Sequence, residues 1–218
     1  MARTARIVVP GLPHHIYQRG NNRRRLFSRP SDKVWWTACL AAALDQTACA
    51  LHQITLMENH VHMVVTPPTR DALAALMKRA CQRYAQRRNQ ARESSGKLFE
   101  ERYHSKVIED DEHLMTVTLY GDANAFRAGI VEDPLAHEWS TGPLHAGREG
   151  SRMAKLWTPS VWYRRLGDSP QERSTAYAKL MTAYAAVPAR MIVDGERETA
   201  DVLPYERRVE RPDRKRAR

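Results

Sequence analysis

The chain has 218 residues, which suits one substantial hydrophobic core with an appendage, because single domains usually span roughly 100–200 residues. Its 35 Lys and Arg against 25 Asp and Glu give a net charge of +10, which favours a polyanionic partner, with nucleic acid as the first candidate. No apolar run reaches the length of a membrane span or a signal peptide, so we expect a cytoplasmic protein with no membrane partner.

Strand and helix patterns alternate along the first 130 residues. Helices are indicated by apolar residues at helical spacing behind capping residues, and strands by short runs that end in turn residues. The predicted elements, in order, are a strand from 13, a helix from 31 to 50, strands over 51–57 and 60–66, a helix opening at 71, a strand over 98–108 and a helix from 110 to 129.

This order is typical of an α+β fold with a ferredoxin-like antiparallel sheet and helices on one face. The first 140 residues would form that domain. Beyond them Pro143, Gly147 and Gly150 predict a linker over 141–157. A helical extension over 158–205 and a basic, disordered tail over 206–218 would complete the chain.

Two histidines lie two residues apart in the predicted strand 60–66. His60 and His62 would present their imidazoles on one face, while Val61, Met63 and Val65 would point to the other. Such a pair can chelate a metal, but two histidines also occur at this spacing by chance, or pack against neighbours without binding a metal. The pair therefore needs a third partner.

The last predicted core helix carries that partner. Tyr120 and Asn124 are four residues apart and so share a helix face. The amide oxygen of Asn124 could complete a mixed nitrogen and oxygen site suited to Mn²⁺ or Mg²⁺. Spacing alone does not select Tyr120, because a tyrosine on a helix face is usually a core or interface residue.

Two acid-free basic clusters flank these residues in sequence. The first 31 residues contain seven arginines, and residues 72–92 contain six Lys and Arg, without an acidic residue in either stretch. Such rows often form a solvated helix face, but their position here favours contacts with phosphates. The candidate DNA-binding residues are Arg19, Arg23, Arg24, Arg25, Arg79, Arg83 and Arg87.

Four segments in order resemble the single-tyrosine HUH transposases, and especially the REP-associated tyrosine transposases. They are PHHIYQRGNN, LMENHVHMVV, LFEERYHSKVIEDDEHL and LYGDANAFRAGIVEDP, within residues 7–140. The resemblance implies that His60 and His62 are the metal-binding histidines, that Tyr120 attacks DNA and that Asn124 completes the metal site. It also implies a divalent metal, Mg²⁺ or Mn²⁺, and a substrate of single-stranded DNA with hairpin structure, handled by a monomer or a homodimer.

The motif around the tyrosine departs from the family pattern, which is Tyr-Ile-His-x-Asn-Pro. This chain has Gly121, Asp122 and Ala125 instead. A glycine inside a helix costs roughly 1 kcal/mol relative to alanine, so we expect a looser helix around the tyrosine. We also expect Asp122 to add negative charge close to the approaching phosphate.

Two other functions fit the same residues. A catalytically inactive or domesticated protein that recognises hairpins would bind nucleic acid without forming a covalent product, since ferredoxin-like sheets also serve RNA recognition. A replication or conjugation nickase of the wider HUH class would keep the chemistry. Such enzymes are usually larger, often with a helicase or a second nearby tyrosine, and neither is found in this sequence.

Overall fold

The computed structural model describes residues 6–187. Four strands, β1 (His14–Arg19), β2 (Ala50–Leu56), β3 (His60–Thr66) and β4 (His104–Val107), form one sheet in the order β2-β3-β1-β4. Every neighbouring pair is antiparallel, with Tyr17 of β1 opposite His62 of β3. The predicted α+β class and antiparallel sheet are confirmed.

The fourth strand is shorter than the prediction of 98–108. Only His104–Val107 pair as a strand, and Phe99 makes a single bridge with Gly20. The apolar residues before β4 pack inward instead of alternating, since Leu98 and Tyr103 are both buried in the core. Core packing therefore replaces strand pairing over the first half of the predicted strand.

Two helices, α1 (Pro30–Thr47) and α2 (Ala72–Ala91), cover one face of the sheet. The buried carboxylate of Asp32 accepts hydrogen bonds from the backbone N–H groups of Ser28 and Arg29 and so fixes the start of α1. That helix ends before the predicted Ala50, because Ala48 takes a left-handed conformation and Ala50 pairs with Thr66.

A third helix, α3 (Asp111–Arg127), lies on the opposite face. The side chains of Val61, Met63 and Val65 pack with α1 and α2, whereas Val64 packs with Leu114 and Val117 of α3. The expectation of helices on one face thus holds for α1 and α2 and fails for α3. Strand alternation places His60 and His62 on the α3 side of the sheet.

Residues after α3 form α4 (Gly142–His145), α5 (Val161–Arg164) and α6 (Pro170–Ala186). The segment predicted as a linker, 141–157, contains α4 and the buried residues Thr141, His145 and Met153. At the start of this segment, the Trp139 carbonyl accepts from Leu56 N–H, and Thr141 N–H donates to the Ile54 carbonyl, so the outer edge of β2 is covered.

The division into domains stays a prediction. Within the predicted extension, residues 158–187 contain α5 and α6, while residues 188–205 and the tail 206–218 lie outside the described residues. Within residues 6–187 no helix combines the length and apolar character needed to cross a bilayer.

Candidate functional site

The two candidate metal-binding histidines lie side by side on β3. The ring centroids of His60 and His62 are 4.9 Å apart, and the rings are nearly perpendicular. Both side chains are buried, with relative exposures of 6% and 3%. Alternation along β3 puts both on one face, as the sequence predicted, and this is the face that α3 covers.

Hydrogen bonding fixes the tautomer of His60. The Nδ1 of His60 lies 2.7 Å from the side-chain oxygen of Asn59, which can only accept, so Nδ1–H donates. The proton on Nδ1 leaves a lone pair on Nε2, the form in which imidazole binds a metal. Burial, helped by the nearby Arg19, lowers the pKa of His60 to about 4 and keeps the ring neutral at pH 7.

His62 has an aromatic and a polar neighbour on β1. Its Nδ1 lies 3.2 Å from the Nε2 of His15, and the two rings are stacked with centroids 5.5 Å apart. The ring of Tyr17 lies 5.0 Å from that of His62. Burial, together with His60 and His15, lowers the pKa of His62 well below its usual value.

The candidate nucleophile approaches from α3. The half-buried ring of Tyr120 meets the ring of His62 edge-on at 5.5 Å, and Asn124 follows one turn later, almost fully buried. Asp110 caps the start of the helix, because its carboxylate accepts from the backbone N–H of His113, and buried Leu114 and Val117 hold the helix in place. The structure therefore brings Tyr120 to the histidine pair.

The candidate metal ligands share an unusual feature. The Nε2 atoms of His60 and His62 and the Oδ1 of Asn124 are all buried and have no hydrogen-bond partner. A buried polar atom without a partner is costly, and such atoms are few in folded proteins. Two imidazole nitrogens and one amide oxygen fit a divalent cation that keeps open positions for other ligands.

Among residues 6–187 no group of three or more His, Cys, Asp or Glu side chains is placed to hold a metal. A metal at this site would therefore depend on the amide of Asn124 as its third protein ligand. Two neutral imidazoles and an amide would leave the full charge of the cation available to an anionic substrate.

The two departures beside Tyr120 have structural explanations that the sequence did not suggest. A Cβ on Gly121 would lie 2.4 Å from the Gln53 side-chain nitrogen, so glycine permits the close packing of α3 on β2. Asp122 is fully buried and accepts four side-chain hydrogen bonds. The helix runs unbroken through Gly121, and the Asp122 carboxylate lies in the protein interior instead of at the surface.

The arginines after β1 lie at the end of the sheet where β3 begins. The Asn59 side-chain nitrogen donates to the Arg23 carbonyl, and the Arg25 guanidinium pairs with Glu58 at 3.0 Å. Arg24 is exposed, and Arg19 pairs with Glu100 at 2.5 Å. This cluster is therefore beside the turn that leads into His60.

The structure does not bring the second basic row to the site. Arg79 donates to the side chain of Gln46 on α1, and the Arg87 guanidinium stacks 4.4 Å from the centre of the Trp35 ring. Arg83 is exposed between them on α2. Since α1 and α2 cover the other face of the sheet, this row lies across the sheet from Tyr120.

Two neighbours of the histidine pair were not recognised from sequence as parts of the site. His15, to which the sequence analysis gave no role, lies within hydrogen-bonding distance of His62. Asn59 lies in the turn before β3, and its side-chain oxygen accepts the hydrogen bond that orients His60. Strand alternation in PHHIYQR places His15 on the same face as Tyr17, and this pattern could have indicated that His15 lies near the site.

Comparisons with known proteins identify the family and a similar fold. The sequence model of a family described as "Transposase IS200 like" matches residues 8–122. The chain is similar to the structure of a REP-associated tyrosine transposase bound to a REP hairpin, with 14% identity and a TM-score of 0.58 over 74% of this chain and 93% of that chain. This likeness shows a shared fold.

A crystal structure described as that of a transposase candidate from Deinococcus radiodurans is 17% identical. It covers 52% of this chain and 91% of its own, with a TM-score of 0.38, too low to support an argument. No curated protein matches the chain. The family match includes His60, His62 and Tyr120 and stops two residues before Asn124.

Proposed function

Because the chain belongs to the IS200-like transposase family, we propose that it cleaves and rejoins single-stranded DNA, with Tyr120 as nucleophile and a divalent metal bound by His60, His62 and Asn124. Family membership makes it a DNA-processing transposase. Two observations together best support the finer proposal: His60, His62 and Asn124 each have a buried ligand atom without a hydrogen-bond partner, and the Tyr120 ring meets the His62 ring.

The metal would be held by the Nε2 atoms of His60 and His62 and the Oδ1 of Asn124. When bound, Mg²⁺ or Mn²⁺ would supply Lewis-acid polarisation of the scissile phosphate and offset the charge that develops during attack. Asn59 and His15 would keep the two imidazoles in the tautomer and orientation that expose Nε2.

Tyr120 would carry out the covalent step. Its phenolic oxygen would form a bond to phosphorus as the bond from phosphorus to the 3′ oxygen breaks. The phenol would lose its proton, and the leaving 3′ oxygen would take up a proton and become a hydroxyl. The products are a 5′-phosphotyrosine and a free 3′-hydroxyl. That hydroxyl, or one from another strand, can reverse the step, so rejoining requires no external energy source.

Single-stranded DNA with a hairpin is the proposed substrate. The similar solved structure is that of a transposase bound to a REP hairpin, and in this chain Arg19 and Arg23–Arg25 lie beside the turn into His60. Positive side chains at this end of the sheet would contact the phosphates of the strand entering the site.

The test is formation of a covalent adduct. Purified protein is incubated with Mn²⁺ or Mg²⁺ and single-stranded hairpin DNA from the sequences that flank its gene, then separated under denaturing conditions. The proposal expects an adduct that is absent with a chelator, absent in Tyr120→Phe and nearly absent in His60→Ala. Hairpin binding without any adduct would instead support the inactive, hairpin-recognising alternative.

A further inference from the structure

One buried carboxylate joins the helix of Tyr120 to three other parts of the fold. Asp122 has no exposed surface, and its two oxygens accept from four side chains at 2.7–3.2 Å. The donors are Gln53 on β2, Thr141 before α4, His145 on α4 and Tyr177 on α6.

The hydrogen-bond pattern identifies each partner as a donor. The Trp157 indole N–H, which can only donate, lies 3.3 Å from the Nε2 of His145, so the His145 proton is on Nδ1, facing Asp122. Burial and the neighbouring carboxylate raise the pKa of Tyr177 well above its usual value, which keeps its hydroxyl protonated. Asp122 is thus a fully satisfied buried acceptor.

Asp122 lies two residues from both Tyr120 and Asn124. Two residues correspond to about 200° of rotation in an α-helix, so its side chain projects from the side opposite the one that meets β3. The four hydrogen bonds to Asp122 on that side determine how far α3 is rotated about its axis. The rotation in turn determines where the phenol and the amide of the other side point.

Gly121 lets the helix approach β2 closely enough for the hydrogen bonds to Asp122 to form. The Thr55 hydroxyl donates to the Gly121 carbonyl at 2.8 Å, and Gln53 lies directly against the Gly121 Cα. Contacts from β2 therefore bind the helix at the same turn as Asp122. Gly121 and Asp122, two of the three positions at which the chain departs from the family pattern, therefore both take part in packing this turn of α3.

We propose that Asp122 is a positioning residue, which ties α3 to the C-terminal part of the chain and so sets the direction of the Tyr120 phenol. This inference rests on the nucleophilic role proposed above for Tyr120. The segment from Thr141 to Tyr177 then contributes to cleavage although none of its residues is assigned a role at the reacting phosphate.

The experiment compares single-turnover rates of adduct formation in wild type, Asp122→Asn, Tyr177→Phe and Tyr84→Phe. Tyr84→Phe is the matched control, because it also removes a buried tyrosine hydroxyl bond, to the Leu26 carbonyl, but lies on the other face of the sheet. Rates are measured well below the melting temperature of every variant, alongside affinity for uncleaved hairpin DNA.

Asp122→Asn is expected to slow adduct formation on the order of tenfold or more, because a 1 Å misplacement can cost roughly 100-fold. Tyr177→Phe should slow it less, with hairpin affinity unchanged in both and the rate of Tyr84→Phe close to that of wild type. If Asp122→Asn and Tyr177→Phe both form the adduct as fast as Tyr84→Phe and wild type, the inference is overturned and the proposed function stays intact. No adduct with wild type would overturn both.

Discussion

The Nε2 of His15 lies 3.2 Å from the Nδ1 of His62, across the pairing of β1 with β3. The two residues are diagonal neighbours, since His15 is opposite Val64 and His62 is opposite Tyr17. Nδ1 of His62 is thereby occupied, which leaves the buried Nε2 as the nitrogen available to a metal. His15 is therefore expected to orient a metal ligand.

Replacing His15 should weaken metal binding. Loss of a hydrogen-bond partner behind a ligating histidine typically costs about 10–100-fold in metal affinity, and we expect His15→Ala to fall in that range. Calorimetric titration with Mn²⁺ measures the effect. His104→Ala is the control, because His104 is on the neighbouring strand without a hydrogen bond to either ligand. Equal affinities in the two variants would contradict the orienting role.

Adding a methyl group at Gly121 should destabilise the protein. Alanine normally stabilises a helix relative to glycine, but here its Cβ would lie 2.4 Å from the Gln53 side chain, in a buried contact. We expect Gly121→Ala to lower the free energy of unfolding by about 1–3 kcal/mol. Denaturant titration measures it, and the penalty should shrink in a Gln53→Ala background. A more stable Gly121→Ala would show that the close contact is not present.

Stability should fall as the solution becomes acidic. Burial lowers the pKa of His52 and of His137 below 6.5 in the folded protein. Below about pH 6.5 the unfolded chain takes up protons that the folded chain cannot, so the free energy of unfolding declines as the pH falls from 7.5 to 5. His52→Gln should make that decline smaller. Above pH 7 the difference between variant and wild type should be constant, and an unaltered acid decline would contradict this account.

The two basic clusters should differ in their effect on DNA binding. Arg24 is exposed and follows Arg23, whose carbonyl accepts from Asn59 in the turn before His60, whereas Arg83 is on α2, across the sheet from Tyr120. Arg24→Gln should weaken hairpin binding and lower the slope of log affinity against log salt by about one, as expected for loss of one phosphate contact. Arg83→Gln should leave both unchanged. An equal effect of Arg83→Gln would show that DNA also reaches the α2 row, as the charge pattern alone predicted.

Local periodicity explains which parts could be predicted from sequence. Alternation in a strand was enough to put His60 and His62 on one face, and helical spacing was enough to put Tyr120 and Asn124 together. The resemblance to known transposases then selected Tyr120. The family match shows the family, while the roles of these residues stay proposals.

Long-range contacts explain what could not be predicted. The partner of His15 depends on strand register, which is set by the whole sheet. The surroundings of Asp122 depend on donors as distant in sequence as Gln53 and Tyr177. Without those partners, a glycine and an acid beside Tyr120 looked like defects, although both pack the helix in place.

Mass spectrometry of the covalent adduct tests the central claim most directly. The adduct formed with hairpin DNA is digested with nuclease and protease, and the residue that retains a nucleotide is located by peptide fragmentation. We predict a single modified residue, Tyr120, joined to the 5′ phosphate of the cleaved strand. A nucleotide on Tyr17, whose ring also lies beside His62, or on any other residue would contradict the account.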